Sequence, residues 1–224
     1  MSIFLKLTKN FLLILIKRRI KKYWNLDSKV IYPPVDTNRL EASKNEAEDF
    51  YVVFSRFVPY KRIDLAIDAC GQLNKKLIVI GSGSQEKQLK ALASRYNKEL
   101  ITFTGRISDD EVKSYLQRCK ALIFCAEEDF GIIPVEAQSC GRPVIAFGKG
   151  GSLETVIDGK TGVYFYRQET ESLCNAITHF ESLYAQNTFD KKEIALHASN
   201  FSTERFCKQI EDAINETLKE FKKL

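Results

Sequence analysis

Between Tyr51 and Phe165 six short apolar runs, each four or five residues long, recur at intervals filled by stretches of helical periodicity. The runs are Tyr51–Ser55, Leu77–Gly81, Ile101–Thr104, Ala121–Cys125, Pro143–Ala146 and Gly162–Phe165. Apolar runs this short, bounded by turn-forming residues, read as buried strands. Helices are expected at about 61–73, 84–96, 108–118, 131–140, 150–157 and 169–184, with two more near 190–199 and 202–222. Strands joined through helices run parallel, because the crossover back over a sheet needs a dozen or more residues. The alternation therefore predicts an α/β fold, a doubly wound, Rossmann-like parallel sheet covered on both faces. In such sheets ligands lie outside the carboxyl ends of the strands.

The chemistry-bearing residues fall at those ends. The first strand leads into Ser55-Arg56-Phe-Val-Pro-Tyr-Lys61-Arg62 and then directly into a helix. Arg offers a two-pronged donor fork and Lys a point charge, so Arg56 and Lys61 at a strand-to-helix turn suit a diphosphate. The other reading is a pair of solvated loop cations. After the second strand, Gly81-Ser-Gly83 removes side chains from the sheet's end, which admits a ligand or makes a tight turn. Gly105-Arg106-Ile107 follows the third strand as a turn capped by Ser108. There is neither a third glycine in dinucleotide register nor a Walker lysine, which argues against NAD binding and ATP hydrolysis.

After the fourth strand comes Glu128-Asp-Phe-Gly-Ile-Ile-Pro-Val-Glu136, with two carboxylates eight positions apart around a glycine turn and a helix start. Gly131 lets backbone approach a ligand closely, and the orphan N–H groups of the first helical turn suit a phosphate. Pro134 sits where a missing N–H costs least. Carboxylates accept hydrogen bonds from paired sugar hydroxyls, so Glu128 and Glu136 can grip two parts of one ligand; the plainer alternative is two solvated glutamates. The segment runs on through Ala-Gln-Ser-Cys-Gly-Arg-Pro-Val-Ile-Ala146 to a glycine loop, Gly148-Lys-Gly-Gly-Ser-Leu-Glu154, in which Glu154 is a capping residue after Ser152 or simply exposed.

Together these segments resemble the retaining glycosyltransferases of GT-B fold, family 4, which use nucleotide-sugar donors. The resemblance runs from about Val30 to the C-terminus and implies the second, donor-binding half of a GT-B enzyme, with mannosyltransferases the nearer kind. It implies that Arg56 and Lys61 contact the donor diphosphate and that Arg106 and Ile107 lie near the base. Glu128 is implied to hold hydroxyls of the transferred sugar and Glu136 the ribose, with backbone around Phe130, Gly131 and Ile132 on sugar and phosphate. Gly81 and Gly83 complete the expected donor site, and Glu128, Arg56 and Lys61 are the expected catalytic groups. Their contribution would be electrostatic, stabilising charge on the departing diphosphate. The expected donor is GDP-mannose, with a UDP-sugar as the alternative, and no cofactor or metal is expected. A carboxylate pair also serves glycoside hydrolysis, but the neighbouring phosphate-binding features argue against it.

Residues 1–29 carry eight Lys/Arg against Asp27 alone, so the formal +5 of the chain belongs to this leader while the remainder is slightly acidic. Its run Lys17-Arg-Arg-Ile-Lys-Lys22 has no nucleic-acid-binding signature around it. The apolar stretch Phe11–Ile16 falls far short of the ~20 residues that span a bilayer, and no cleavage site for a secretory signal follows. The expected division is a basic and apolar helical leader at 1–29, an interdomain-type linker at 30–49, and a nucleotide-sugar-binding domain at 50–224. For the leader three readings stand: a helix packed on the domain, an interfacial helix touching a membrane through residues 1–24 with Tyr23 and Trp24 at its edge, or the remnant of a longer protein. A truncated or split gene is expected, with a separate acceptor-domain polypeptide as partner or, alternatively, a non-catalytic fragment that binds donor alone. The six cysteines contain no Cys-x-x-Cys pair and read as buried thiols of a reducing cytoplasm. His179 and His197 lie in no matching motif and are expected on helix surfaces or in packing.

Overall fold

A computed structural model of the chain describes residues 14–221. Residues 1–13 of the expected leader, with the first half of the run Phe11–Ile16, and residue 222 of the last expected helix lie outside them. The order of elements is α1 (Ile14–Trp24), β1 (Tyr51–Phe54), a 3-10 turn (Pro59–Lys61), α2 (Ile63–Gln72), β2 (Leu77–Ile80), α3 (Glu86–Ala93), β3 (Ile101–Gly105), α4 (Asp109–Arg118), β4 (Ala121–Phe124), α5 (Ile132–Ser139), β5 (Val144–Phe147), α6 (Ser152–Thr155), β6 (Gly162–Phe165), α7 (Thr170–Ala185), α8 (Lys191–Ala198), a 3-10 turn (Ser199–Phe201) and α9 (Thr203–Phe221).

The six strands form one sheet in the order β3-β2-β1-β4-β5-β6, and every neighbouring pair is parallel. This is the doubly wound arrangement that the alternation predicts, and its order reverses between β1 and β4. The crevice at that reversal is where such sheets hold ligands.

Strand side chains alternate between two cores. Tyr51, Val53, Val79, Ile123, Ile145 and Val163 face one side, where Ile63 and Ile67 of α2 and Leu173, Ile177 and Phe180 of α7 cover them. Val52, Ile80, Leu122, Phe124, Val144 and Ala146 face the other, against Val112 and Leu116 of α4 and Ala137 of α5. Both β4 and β5 are buried throughout, consistent with strands covered on two faces. Burying side chains of this size stabilises the fold by roughly 1.5–3 kcal/mol each.

Local chemistry sets the helix ends. Ser108 and Glu111 form a reciprocal capping box at the start of α4, as the turn-and-cap reading of Ser108 anticipates. The Asp190 carboxylate accepts from the backbone N–H groups of Lys192 and Glu193 at the start of α8. Helix α2 begins two residues later than its expected bound, because Arg62 adopts a left-handed conformation with φ 50° between the 3-10 turn and the helix. Its guanidinium compensates by clamping Asp64 at 3.0 to 3.2 Å and by donating to the Gln168 carbonyl at 3.3 Å.

Residues 30–49 pack onto the sheet's helical layers. Leu40 is buried against the second core, Val35 N–H donates to the Phe201 carbonyl at 2.9 Å, and Gln117 donates to the Glu41 carbonyl at 2.8 Å. Arg142, 2% exposed, donates to the carbonyls of Gln117 and Asn45 and so ties this segment to β5. A third cluster of Val35, Phe130, Val135, Ala198 and Phe201 closes over the start of α5, with the Tyr32 ring 5.9 Å from Phe130 and 5.3 Å from Phe201. His197 belongs to this packing: its Nε2 lies 3.0 Å from the Thr155 carbonyl and its ring stands edge-on to Phe201. Four cysteines are buried, Cys174 is half-buried and Cys207 exposed.

Candidate functional site

All parallel strands end on one side of the sheet, so the loops after β1, β2, β3 and β4 share one edge. A cleft of 480 Å³ lies there, lined by Arg56, Lys61, Gly81, Arg106 and Ile107 of the expected site. Ser55, Ser82, Asp109 and Ile133 join them, none of which was singled out from sequence. The Ser55 hydroxyl is buried and has no hydrogen-bond partner among the described residues. A polar atom left unpaired inside a cleft is a place for a ligand atom or a water.

Glu128 lines a second depression of 410 Å³ with Arg19, Tyr60, Arg62, Asp129, Gly150 and Gln168. Lys61 bridges the two hollows: it lines the first, and its ammonium pairs with the Glu128 carboxylate, both side chains being largely buried. Burial, and then the like charge of Arg56, push the Lys61 ammonium below its ordinary pKa. A carboxylate in contact is what a buried ammonium in that position requires.

The glycine loop after β5 fixes Glu128. Gly150 pairs with Glu128 in a parallel bridge, and the Gly151 N–H donates to the Glu128 carbonyl at 2.7 Å. A Cβ on Gly151 would come within 2.3 Å of the Phe130 Cα, so only glycine lets the two loops approach this closely. Gly81 and Gly83 play a comparable part beside β1, since side chains there would strike the backbone of Ser55 and Phe57. Gly81 also faces the cleft, whereas Gly83 is not among its lining residues.

Gly131 caps α5 with φ 81°, and no side chain satisfies the first turn of that helix. Its first-turn amides and the positive end of its dipole stand where an anion is favoured. The Phe130 ring is buried in the third cluster, while Ile132 is 48% exposed. Glu136 is mostly buried, 3.9 Å from the Arg39 guanidinium. Burial holds its carboxyl above the usual range, Arg39 opposing and Asp109 adding to the rise. Arg39 also donates to the Asp109 carbonyl at 3.3 Å, which places it between Glu136 and the cleft. Arg39 and Arg19 reach the site from segments remote in sequence, and no local motif marks either. Among the described residues no group of three or more His, Cys, Asp or Glu is arranged to hold a metal ion.

Residues 35–195 match the model of the glycosyl transferases group 1 family. The chain belongs to that family. Its domain is the C-terminal type of the GT-B glycosyltransferases, in agreement with the resemblance carried by the loop motifs. An uncharacterized glycosyltransferase of Methanocaldococcus jannaschii is 36% identical over 136 residues, covering 60% of this chain and 38% of that protein. A GDP-mannose-dependent α-(1-6)-phosphatidylinositol monomannoside mannosyltransferase of Mycolicibacterium smegmatis is 31% identical over 142 residues, covering 56% and 37%. The crystal structure of Anabaena HepE in complex with UDP-glucose superimposes with a TM-score of 0.73 at 26% identity, covering 84% of this group 1 chain and 57% of HepE. The chain spans 36 to 44% of the length of the curated relatives it matches. No helix among the described residues is long and apolar enough to cross a membrane.

Proposed function

We propose that this group 1 glycosyltransferase domain binds a nucleoside diphosphate-sugar across the β1/β4 reversal, and that it transfers the hexose to a saccharide or lipid-linked acceptor with retention. The Lys61–Glu128 pair carries the reading. It couples a cation suited to a diphosphate with a carboxylate suited to sugar hydroxyls, beside an uncapped helix start. In this arrangement the diphosphate occupies the cleft of Arg56, Lys61 and Ser55, near the amides that open α5, and the base lies toward Arg106 and Ile107. The sugar turns toward Glu128, and the ribose meets Glu136. As the anomeric carbon–oxygen bond breaks, Arg56, Lys61 and the helix amides take up the growing charge on the leaving diphosphate.

GDP-mannose is the favoured donor, supported by the mannosyltransferase among the relatives. A UDP-sugar is the runner-up, supported by the ligand of HepE. Acceptor binding is assigned to a further domain, on the same or another polypeptide, that docks on the site's rim, where the large apolar side chains Tyr60 and Ile132 are exposed.

Calorimetric titration with GDP, UDP, GDP-mannose and UDP-glucose tests the donor assignment. Selective binding that weakens at least tenfold in both Arg56→Ala and Glu136→Ala is the expected result. A folded wild-type chain that binds none of the four overturns it.

A further inference from the structure

A third hollow, of 570 Å³, lies away from the donor cleft between α1, the segment that follows it, and the start of α9. Lys17, Arg18, Lys21 and Arg205 line it, with Asp27 as the one carboxylate of the lining. Asp27 is spoken for, since it pairs with Lys21 at 3.0 Å. Arg205 donates through Nη1 to the Asn200 carbonyl, which anchors the guanidinium at the wall. The hollow is therefore cationic in excess, and its size is that of an ordinary small-ligand site.

A second observation points to a ligand rather than a diffuse basic surface. Ser28, 7% exposed, lines the same hollow, and its buried hydroxyl has no hydrogen-bond partner among the described residues. Native folds seldom leave such an atom unpaired unless a bound group or water completes it. A hydroxyl beside guanidinium and ammonium groups matches the donors that phosphate oxygens take. The Tyr32 ring closes the apolar wall, its hydroxyl directed to Glu154 and so removed from competition for an anion. Tyr23 and Trp24, 71% and 68% exposed, stand at the end of the helix that supplies three of the cations. Exposed aromatics beside cations are the side chains that settle at a lipid headgroup layer.

We propose that this hollow is a second anion site that binds a phosphate-bearing ligand, independent of the donor cleft, through Lys17, Arg18, Arg205 and the Ser28 hydroxyl. The phosphate comes either from a membrane lipid headgroup or from a soluble phosphate compound.

The full chain carrying Arg56→Ala and Lys61→Ala, so that the donor cleft is stripped of its cations, is titrated with inorganic pyrophosphate and with phosphatidylcholine vesicles with and without phosphatidic acid. Binding of one or both phosphate probes is expected, weakened at least tenfold by Lys17→Gln with Arg18→Gln, and severalfold by Ser28→Ala, which changes no charge. Vesicle binding that pyrophosphate displaces identifies a lipid headgroup; pyrophosphate binding without vesicle binding identifies a soluble ligand. The proposal is overturned if neither probe binds, if pyrophosphate does not bind and displaces none of the vesicle association, or if the Lys17/Arg18 and Ser28 variants bind as their parent does. Far-UV circular dichroism of each variant separates lost binding from lost folding. UDP and GDP binding by the Ser28→Ala chain with Arg56 and Lys61 intact reports separately on the donor reading.

Discussion

The Lys61 ammonium and the Glu128 carboxylate meet across the junction of β1 and β4, strands adjacent in the sheet although three helices and two other strands separate them in sequence. In the free protein each is the other's counter-ion, and a donor would have to exchange that contact for its own diphosphate and hydroxyls. The two partners should therefore respond differently to substitution. Lys61→Met is expected to weaken GDP and UDP by about 10–100-fold, the worth of one or two charge-assisted hydrogen bonds. Glu128→Gln releases Lys61, so the bare nucleoside diphosphate binds at least as tightly as to wild type while the nucleotide-sugar binds more weakly. Equal losses for both ligands in Glu128→Gln, measured by calorimetry, would remove Glu128 from the sugar.

Glu136 supplies a prediction in pH. Burial raises its carboxyl pKa above the ordinary value, Arg39 only partly opposing. The folded chain thus takes up this proton at higher pH than the unfolded chain does. Its ionised form costs stability above that window, and the cost is relieved as pH falls through it. Glu136→Gln should leave the neutral-pH Tm equal to or above that of wild type, the gap shrinking on acidification, while nucleotide affinity drops about tenfold or more. A Tm clearly below wild type at neutral pH would mean that the carboxylate is structural.

The sheet was legible because Val, Ile and Leu runs of four or five residues have few other uses, and each observed strand falls within a residue or so of its apolar run. The cations after β1 and the carboxylates around Gly131 were legible because loops at strand ends carry chemistry and their spacing is local. What stayed hidden was tertiary. Arg39 sits in a charged stretch that reads as linker, yet the burial of Leu40 and the contacts of Glu41 and Asn45 hold it against Glu136. Arg62 in a left-handed cap has no glycine or asparagine to announce it; Asp64 and the Gln168 carbonyl stabilise it. Gly150 and Gly151 read only as part of a glycine loop leading into a helix, and their reason lies in the close approach of Glu128 and Phe130.

That approach can be tested by filling it. In Gly151→Ala the new Cβ lies 2.3 Å from the Phe130 Cα and 2.4 Å from its carbonyl oxygen, so one loop must move. A loss of about 1–3 kcal/mol is expected, read as a lowered denaturation midpoint, together with weaker nucleotide-sugar binding because the Glu128 loop shifts. Gly159→Ala is the control, with open space around its Cβ and only the left-handed backbone penalty of about 1–2 kcal/mol. A Gly151→Ala chain as stable as wild type would show that the loops are not tightly apposed.

At the opposite, amino edge of the sheet, Glu181 gathers the Tyr51 hydroxyl at 2.5 Å, Lys75 at 2.8 Å and Lys120 at 3.2 Å. Burial alone would raise its pKa, but the hydrogen bonds from Lys75 and Tyr51 and the charge of Lys120 prevail and hold it below the ordinary glutamate value. A depressed carboxylate stabilises the fold above its unfolded pKa, near 4.3, and that contribution is lost as pH falls through the folded value. Glu181→Gln leaves Lys75 and a buried phenol without their anion, while Lys120 keeps Asp49. It is expected to cost about 1–3 kcal/mol at neutral pH, the penalty narrowing as acid protonates wild-type Glu181. The cluster is built on the first residue of β1, and the residues assigned to the donor lie beyond the last. Nucleotide affinity at temperatures where both chains are folded should therefore be unchanged, separating the network that holds the sheet from the one assigned to the donor. Parallel stability curves for the two chains from neutral to acid pH would show that Glu181 carries no linked proton.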